Sequence, residues 1–201
     1  MPDPHATTAA PTTSTTAASA VEELVVLHVG CGPAGGTGLH PAFSGPNWRE
    51  VRLDIDPAVA PDIVGSLTDL SMIADAEVDA VWSSHNLEHL EAHDVPRALR
   101  EFHRVLRPGG LLLVTLPDLE AVAKIVAQGN LEDPIYTSPS GPVAPLDILF
   151  GFRPVLERGN VHYAHRTGFT PTTLARHLAN AGFADGKVWS EDLNLWALMT
   201  R

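Results

Sequence analysis

His85, Glu88 and His89 fall within five residues, His85-Asn86-Leu87-Glu88-His89. On a helix, His-x-x-Glu-His sets two imidazoles one turn apart, the pattern of an inverted zinc peptidase site. His93 continues the spacing. Such a site needs a further ligand from elsewhere in the chain. No outlying acidic residue is identifiable as that ligand, and no metal is assigned. Without a metal, an imidazole of near-neutral pKa suits removal of a proton from a hydroxyl or amine. His85 and His89 are therefore the candidate catalytic residues. His93 and His103 read as solvent-exposed helix residues.

A second set of residues suits a nucleotide. Gly30 and Gly32 close an apolar run, and a glycine there lets the backbone approach a ligand with no Cβ in the way. Asp54 and Asp56 follow a second run, where a carboxylate can accept hydrogen bonds from both ribose hydroxyls. Asp69 and Leu70 follow a third, with a carboxylate for an adenine amino group and backbone beside it. Gly30-x-Gly32-x-x-Gly35, with acids about twenty residues on, also satisfies the dinucleotide fingerprint. Two features oppose an NAD(P) reading. The stretch after Gly32 is rich in Pro and Gly, a poor start for a helix that cradles pyrophosphate. Few residues remain for a separate substrate domain.

The elements that must position these groups are legible in outline. Val25–Val29, Val51–Ile55, Ile63–Leu67, Val78–Ser83 and Leu111–Leu116 read as strands. A helix is expected over Asp94–Arg107, capped by Asp94 and ended by Pro108-Gly109-Gly110. Its Val95, Ala98, Leu99, Phe102, Val105 and Leu106 share one face. Asp118 caps a helix to about Gln128, and Thr170 one to Ala181. Lys187–Ser190 and Leu195–Thr200 are close enough to form a hairpin. Strands alternating with helices imply a mainly parallel sheet, with ligands at the carboxyl ends of its strands. From 130 to 167 the periodicity fails and prolines recur. Long loops of this kind are usually functional. The four tryptophans, Trp48, Trp82, Trp189 and Trp196, read as core.

Length and charge bound the remaining classes. The chain has 201 residues, enough for one domain with a sizeable core. A formal net charge of −11 disfavours non-specific binding to nucleic acid or anionic membrane. Cys31 is the only cysteine, so no internal disulfide can form, which fits a reducing compartment. No apolar stretch approaches the ~20 residues needed to span a bilayer. Residues 1–20 are almost all Ala, Thr, Pro and Ser, without Lys or Arg. That composition fits neither a signal nor a transit peptide, and is expected to be a disordered tail. Residues 21–201 are expected to form the single domain, and the location to be cytoplasmic.

Taken together and in order, several segments resemble the class I S-adenosylmethionine (SAM)-dependent methyltransferases, in particular the type 11-like small-molecule group. They are Leu27–Gly32, Arg52–Pro57, Asp79–Leu90 and Val105–Gly110 running into Leu111–Val114, with Gly168-Phe169-Thr170 and Ala181-Gly182-Phe183 late in the chain. The resemblance implies an α/β, Rossmann-like fold: a mostly parallel seven-stranded sheet with a reversed C-terminal hairpin strand. It implies SAM as cofactor, and that 130–167 is a lid insertion over a substrate. Gly30 and Gly32 would contact its methionine part, Asp54 the ribose, Asp69 and Leu70 the adenine, and Ser84 and His85 the sulfonium side. Cys31 and Ile55, in the same loops, complete the cofactor-binding set. His28 departs from the group, many of whose members carry an acidic residue there, and Ala34 replaces a third glycine. Asn86, Tyr163, His165 and Arg166 are the candidate substrate residues, Arg166 suiting an anionic acceptor. No Asn-Pro-Pro-Tyr follows the fourth strand, which favours a small molecule, lipid or sugar as acceptor, with O- or N-methylation of a small molecule and a monomer or homodimer expected. The competing reading is a SAM- or nucleotide-binding regulatory protein without catalysis.

Overall fold

A computed structural model describes residues 23–35 and 38–201. The expected N-terminal tail lies outside the described residues. Among the described residues nine strands and five α-helices follow in chain order: β1 (Leu24–Val29), β2 (Trp48–Asp54), β3 (Ile63–Val64), β4 (Val78–Ser84), α1 (Val95–Val105), β5 (Leu106–Pro117), α2 (Leu119–Ala127), β6 (Tyr136–Ser138), β7 (Gly141–Val143), α3 (Pro145–Phe150), α4 (Arg153–Leu156), α5 (Pro171–Asn180), β8 (Asp185–Glu191) and β9 (Asn194–Thr200). Seven strands form one sheet in the order β3-β2-β1-β4-β5-β9-β8. The first five run parallel, β9 is antiparallel to β5, and β8 is antiparallel to β9. The strand order reverses between β1 and β4, so their carboxyl ends flank the crevice where such sheets bind ligands.

The two faces of this sheet are covered differently. On one, α1 and α5 bury Leu99, Phe102, Leu174 and Leu178 against Leu27, Val29, Leu53, Val81, Leu112 and Val114. On the other, no α-helix joins β1 to β2, β2 to β3 or β3 to β4 among the described residues. An aromatic layer lies there instead. Trp82 and Trp196 stack with ring centroids 6.1 Å apart, and Trp189 stacks on Trp196 at the same distance. Phe43 meets Trp48 edge-on at 5.0 Å. Large aromatic side chains bury enough area to cover a strand face without a helix. The expected alternation of strand and helix thus holds only from β4 onward. The connection from β2 to β3 can be short because β3 has two residues and the chain has little distance to retrace.

Local capping matches the sequence in two cases and departs in one. Asp118 accepts from Glu120 N and Ala121 N at the start of α2, and Thr170 caps α5 with reciprocal bonds to Thr173. Asp94 makes no side-chain cap to α1. Strand β5 begins at Leu106 rather than after the glycines, because Leu106 already pairs with Val78 before a register shift. His103 is not a free surface residue: its ring packs edge-on against Phe183 at 5.1 Å. His93 is exposed as expected.

Segment 130–167 is more ordered than its sequence suggests. Strands β6 and β7 form a hairpin, and α3 packs on α2 through Val122, Val143 and Ile148. Asp147, buried in α3, takes two hydrogen bonds from the Arg153 guanidinium, at 2.7 and 3.1 Å, and one from Ala144 N. Burial works to raise its pKa, but these donors outweigh burial and hold the carboxyl below its usual value. Elements of three to six residues are too short to show a periodicity, so the order of this insertion is invisible in sequence. No helix among the described residues is long and apolar enough to cross a membrane.

Candidate functional site

The carboxyl ends of β1, β2 and β4 build a cradle. β1 ends at Val29, and Gly30 and Gly32 both adopt positive φ, +58° and +61°. A Cβ on Gly30 would lie 1.8 Å from Asn86 Oδ1, so the loop and the turn after β4 are in direct contact. A Cβ on Gly32 would meet nothing within 4 Å. Gly30 is therefore glycine for packing and backbone, whereas Gly32 presents its backbone to open space. Asp54, at the end of β2, accepts from Gly32 N at 2.8 Å through Oδ2 and from Asp56 N at 2.9 Å through Oδ1. The carboxylate is fixed by loop amides yet keeps lone pairs for further donors. Arg52 ties down the same loop by donating to Gly32 O and Ala60 O. Ile55 projects beside Asp54 as an exposed apolar side chain, as does Val64 across the β2–β3 pair.

Other candidates sit differently. Cys31 is buried and its N–H donates to Leu53 O, so only its carbonyl edge is free to meet a ligand. Burial pushes its thiol pKa up. Leu70 is fully buried and its N–H donates to Glu101 Oε2 at 2.8 Å. Asp69 is exposed in a cleft with Arg97, Glu101 and Arg104, and no hydrogen bond joins it to the cradle among the described residues. Ser71 donates to Asp69 and lowers its pKa. His28 is buried in β1 and bonds Glu50 Oε1 at 2.6 Å, so an adjacent strand supplies a carboxylate beside it.

A second cluster forms past the end of β4. His85 has a left-handed backbone, φ +54°, and its N–H donates to Thr115 O. Non-glycine residues held at such φ concentrate at functional turns. Asn86 Nδ2 donates to Val29 O at 2.9 Å, which makes this residue a brace between β4 and the glycine loop. Leu87–His89 form a single 3-10 turn rather than an α-helix. Glu88 is 1% exposed on the inner side of that turn. His85 Nδ1 lies 3.2 Å from Glu88 Oε1. Burial raises the Glu88 pKa, but the bond from His85 and the charges of His85 and His89 outweigh it and hold the carboxyl low. For His85, burial lowers the pKa and is outweighed by the bond and charge of Glu88, so the imidazole is pushed up.

The insertion completes this cluster. Glu88 O accepts from Arg166 N at 2.8 Å and Thr167 N at 3.1 Å, pinning the returning chain on the turn. His165 thereby packs against His89, with ring centroids 4.9 Å apart, and Tyr163 lies 6.2 Å from the His89 ring. Burial lowers the His165 pKa, with the Glu88 charge opposing. Arg166 points outward and bonds Glu91 Oε1 at 3.1 Å on the surface. The structure thus gathers His85, His89, Tyr163 and His165 in one place. It keeps Arg166 at their rim and uses Asn86 as framework. Glu88 was missed as a site residue by sequence reasoning, although its place in His-x-x-Glu-His was the available signal.

The fold is a Rossmann-like α/β sheet with a loop cradle at its carboxyl edge. The family described as "Methyltransferase domain" matches residues 27–114, from the second half of β1 into β5. A SAM-dependent methyltransferase from Methanosarcina mazei shares the fold at 18% identity, with a TM-score of 0.59, over 90% of this chain and 93% of that one. A Burkholderia thailandensis 1,6-didemethyltoxoflavin N1-methyltransferase, solved with its substrate and S-adenosylhomocysteine, is similar at 16% identity and a TM-score of 0.54, over 90% of this chain and 72% of that one. A Bordetella parapertussis protein matches at 17% identity and a TM-score of 0.57, over 90% of this chain; the chain spans 62% of that one. No curated protein sequence matches the chain. Residues 27–114 thus match a methyltransferase domain model, and the fold as a whole is similar to that of SAM-dependent methyltransferases of known structure.

Proposed function

We propose that this protein transfers a methyl group from SAM to the oxygen or nitrogen of a small-molecule acceptor. The observation that carries this reading is the junction at Gly30 and Asn86. There the cradle of Gly30, Gly32 and Asp54 abuts the turn that carries His85 and His89, on which Tyr163 and His165 pack. When bound, SAM supplies an electrophilic methyl group on a sulfonium. The residues present fit it: Gly32 leaves room at the loop, Asp54 offers a fixed carboxylate to the ribose, and Ile55 an apolar edge to the adenine. In this reading Asp69 and Leu70 contribute through the fold of their loop.

The protein's remaining task is to align the acceptor and to take its proton, since orientation supplies much of the rate of a displacement. His85 is half exposed with Nδ1 on Glu88 Oε1, so above its raised pKa the neutral ring offers Nε2 as the proton acceptor. His89, Tyr163 and His165 border the acceptor, and the insertion acts as its lid. Arg166 at the rim suits an acceptor with an anionic group. The Burkholderia enzyme's heterocyclic substrate supports a small-molecule acceptor in this fold. An NAD(P) reading loses its footing, because the described residues after Gly32 form no helix whose N-terminus could hold a pyrophosphate.

Calorimetric titration of the full chain with SAM and S-adenosylhomocysteine tests the reading. One-to-one binding in the micromolar range is expected. Asp54→Ala removes a charged hydrogen-bonding partner worth about 1.5–3 kcal/mol, so its affinity should fall roughly 10–100-fold. If neither compound binds at millimolar concentration, the reading fails.

A further inference from the structure

We propose that Glu88, His89 and His165 form a binding site for a divalent first-row transition-metal ion. One coordinating atom from each of the three lies within 4.8 Å of the others. Two imidazoles and one carboxylate are a known ligand set for zinc and for iron(II), with further positions left open. Bonds of about 2.0–2.2 Å to one ion would draw the three atoms closer.

Three independent observations point to an ion rather than to a self-contained hydrogen-bond cluster. Glu88 Oε1 is engaged by His85, but Oε2 is buried and has no partner. An unpaired carboxylate oxygen in the interior is costly unless something positive reaches it. His89 Nδ1 lies 3.1 Å from Ala164 O, and His165 Nδ1 lies 2.8 Å from Ile148 O. A carbonyl only accepts, so both Nδ1 atoms are donors, and Nε2 is the nitrogen each neutral ring would offer to an ion. An imidazole whose second nitrogen donates to a backbone carbonyl is the usual outer arrangement of a metal-bound histidine. Finally, the bonds from Arg166 N and Thr167 N to Glu88 O and the contact of the His165 and His89 rings hold His165 against the turn carrying Glu88 and His89.

The third ligand explains why the motif looked incomplete. A peptidase-like His-x-x-Glu-His would use both histidines and a distant acid. Here the 3-10 turn directs Glu88 and His89 inward, His85 orients the carboxylate, and the distant ligand is a histidine 76 positions after His89 (165 less 89). The open positions of the ion would face the half-exposed His85 and Tyr163, where an acceptor oxygen could bind; this last step rests on the methyl-transfer reading.

The test uses full-length protein freed of metal by a chelator and titrated with Zn2+, Mn2+ and Co2+ by calorimetry. One ion per chain is expected, at micromolar or tighter affinity for at least one of them. His89→Ala and His165→Ala should each weaken it by more than the ~10–100-fold that loss of an outer partner costs. Glu88→Gln should do the same; because Glu88 is buried, its thermal unfolding is measured alongside, and the two histidine variants decide the matter if it does not fold. The Co2+ form should show visible absorption bands that shift when acetohydroxamate is added, reporting open positions. No stoichiometric ion, or an affinity unchanged in His165→Ala, overturns the proposal. Bands that ignore acetohydroxamate overturn its open positions. S-adenosylhomocysteine titrated into the same samples separates the two claims. Ion binding without it sinks the SAM reading alone, and the reverse sinks the metal site alone.

Discussion

The cradle at the ends of β1 and β2 and the cluster beyond β4 touch at Gly30 and Asn86, yet they are built on opposite principles. In the cradle, polar groups satisfy one another: Asp54 takes the Gly32 and Asp56 amides, and Arg52 takes the loop carbonyls. It is a backbone shape held ready. In the cluster, a buried carboxylate keeps an unpartnered oxygen among three imidazoles. A satisfied network rigidifies, whereas an unsatisfied one stores interaction free energy for whatever completes it. The satisfied loop and the unsatisfied cluster thus meet at a single contact between Gly30 and Asn86.

The junction itself should give the largest effect. Gly30→Ala places a Cβ into Asn86 at a left-handed φ, so overpacking and backbone strain add to about 2–4 kcal/mol of lost stability. Gly32→Ala has the same φ and open space, so it should lose only about 1 kcal/mol. Its new methyl group would instead occupy the cradle and weaken S-adenosylhomocysteine binding. Denaturant unfolding of both variants, with ligand titration of the second, checks this contrast. Equal destabilisation would show that the two glycines play one role.

A pH series sharpens the cluster side. The Glu88 carboxyl is held low, so its contribution to stability is present above its unfolded value near 4.5 and is lost as pH falls through its folded value. The His85 pKa is raised, so its contribution is present below its unfolded value near 6.5 and is lost as pH rises through its folded value. The pair therefore stabilises most between those limits, with Glu88 ionised and His85 protonated. The stability difference between the parent protein and His85→Gln should peak near pH 5–6 and shrink on either side. Equilibrium unfolding at half-unit pH steps measures it, and a flat difference would show that the pair is not ionic.

The rim should matter least to stability. Arg166 and Glu91 form an exposed pair, for which Arg166→Ala is expected to cost at most ~0.5 kcal/mol. A thermal shift larger than about 2–4 °C would mean that Arg166 holds the insertion in place.

Much of the scaffold was legible because it rests on local rules. Strand runs, the helix stripe of α1, the caps Asp118 and Thr170 and the late hairpin each follow from residues a few positions apart. So did the glycine loop and Asp54, whose chemistry is tied to the end of an apolar strand. The inward-facing cluster was only half legible. His85 and His89 were visible as a motif, but the turn that aims Glu88 inward is a 3-10 turn where helical spacing was the natural reading. The placement of Asp69 also escaped sequence, since its neighbours Arg97, Glu101 and Arg104 come from α1.

The amino-acid sequence by itself determined the sheet, its parallel core, its reversed hairpin and the backbone cradle at its carboxyl edge. Each of these follows from periodicity, glycine and capping chemistry within short windows. Only the tertiary structure decided that, among the described residues, an aromatic layer lies on one face where helices were expected. It also decided that segment 130–167 folds on α2 and that His165 meets Glu88 and His89 across 76 residues. Those outcomes depend on which surfaces find one another after the chain collapses, and no local pattern encodes a distance between residues so far apart in sequence.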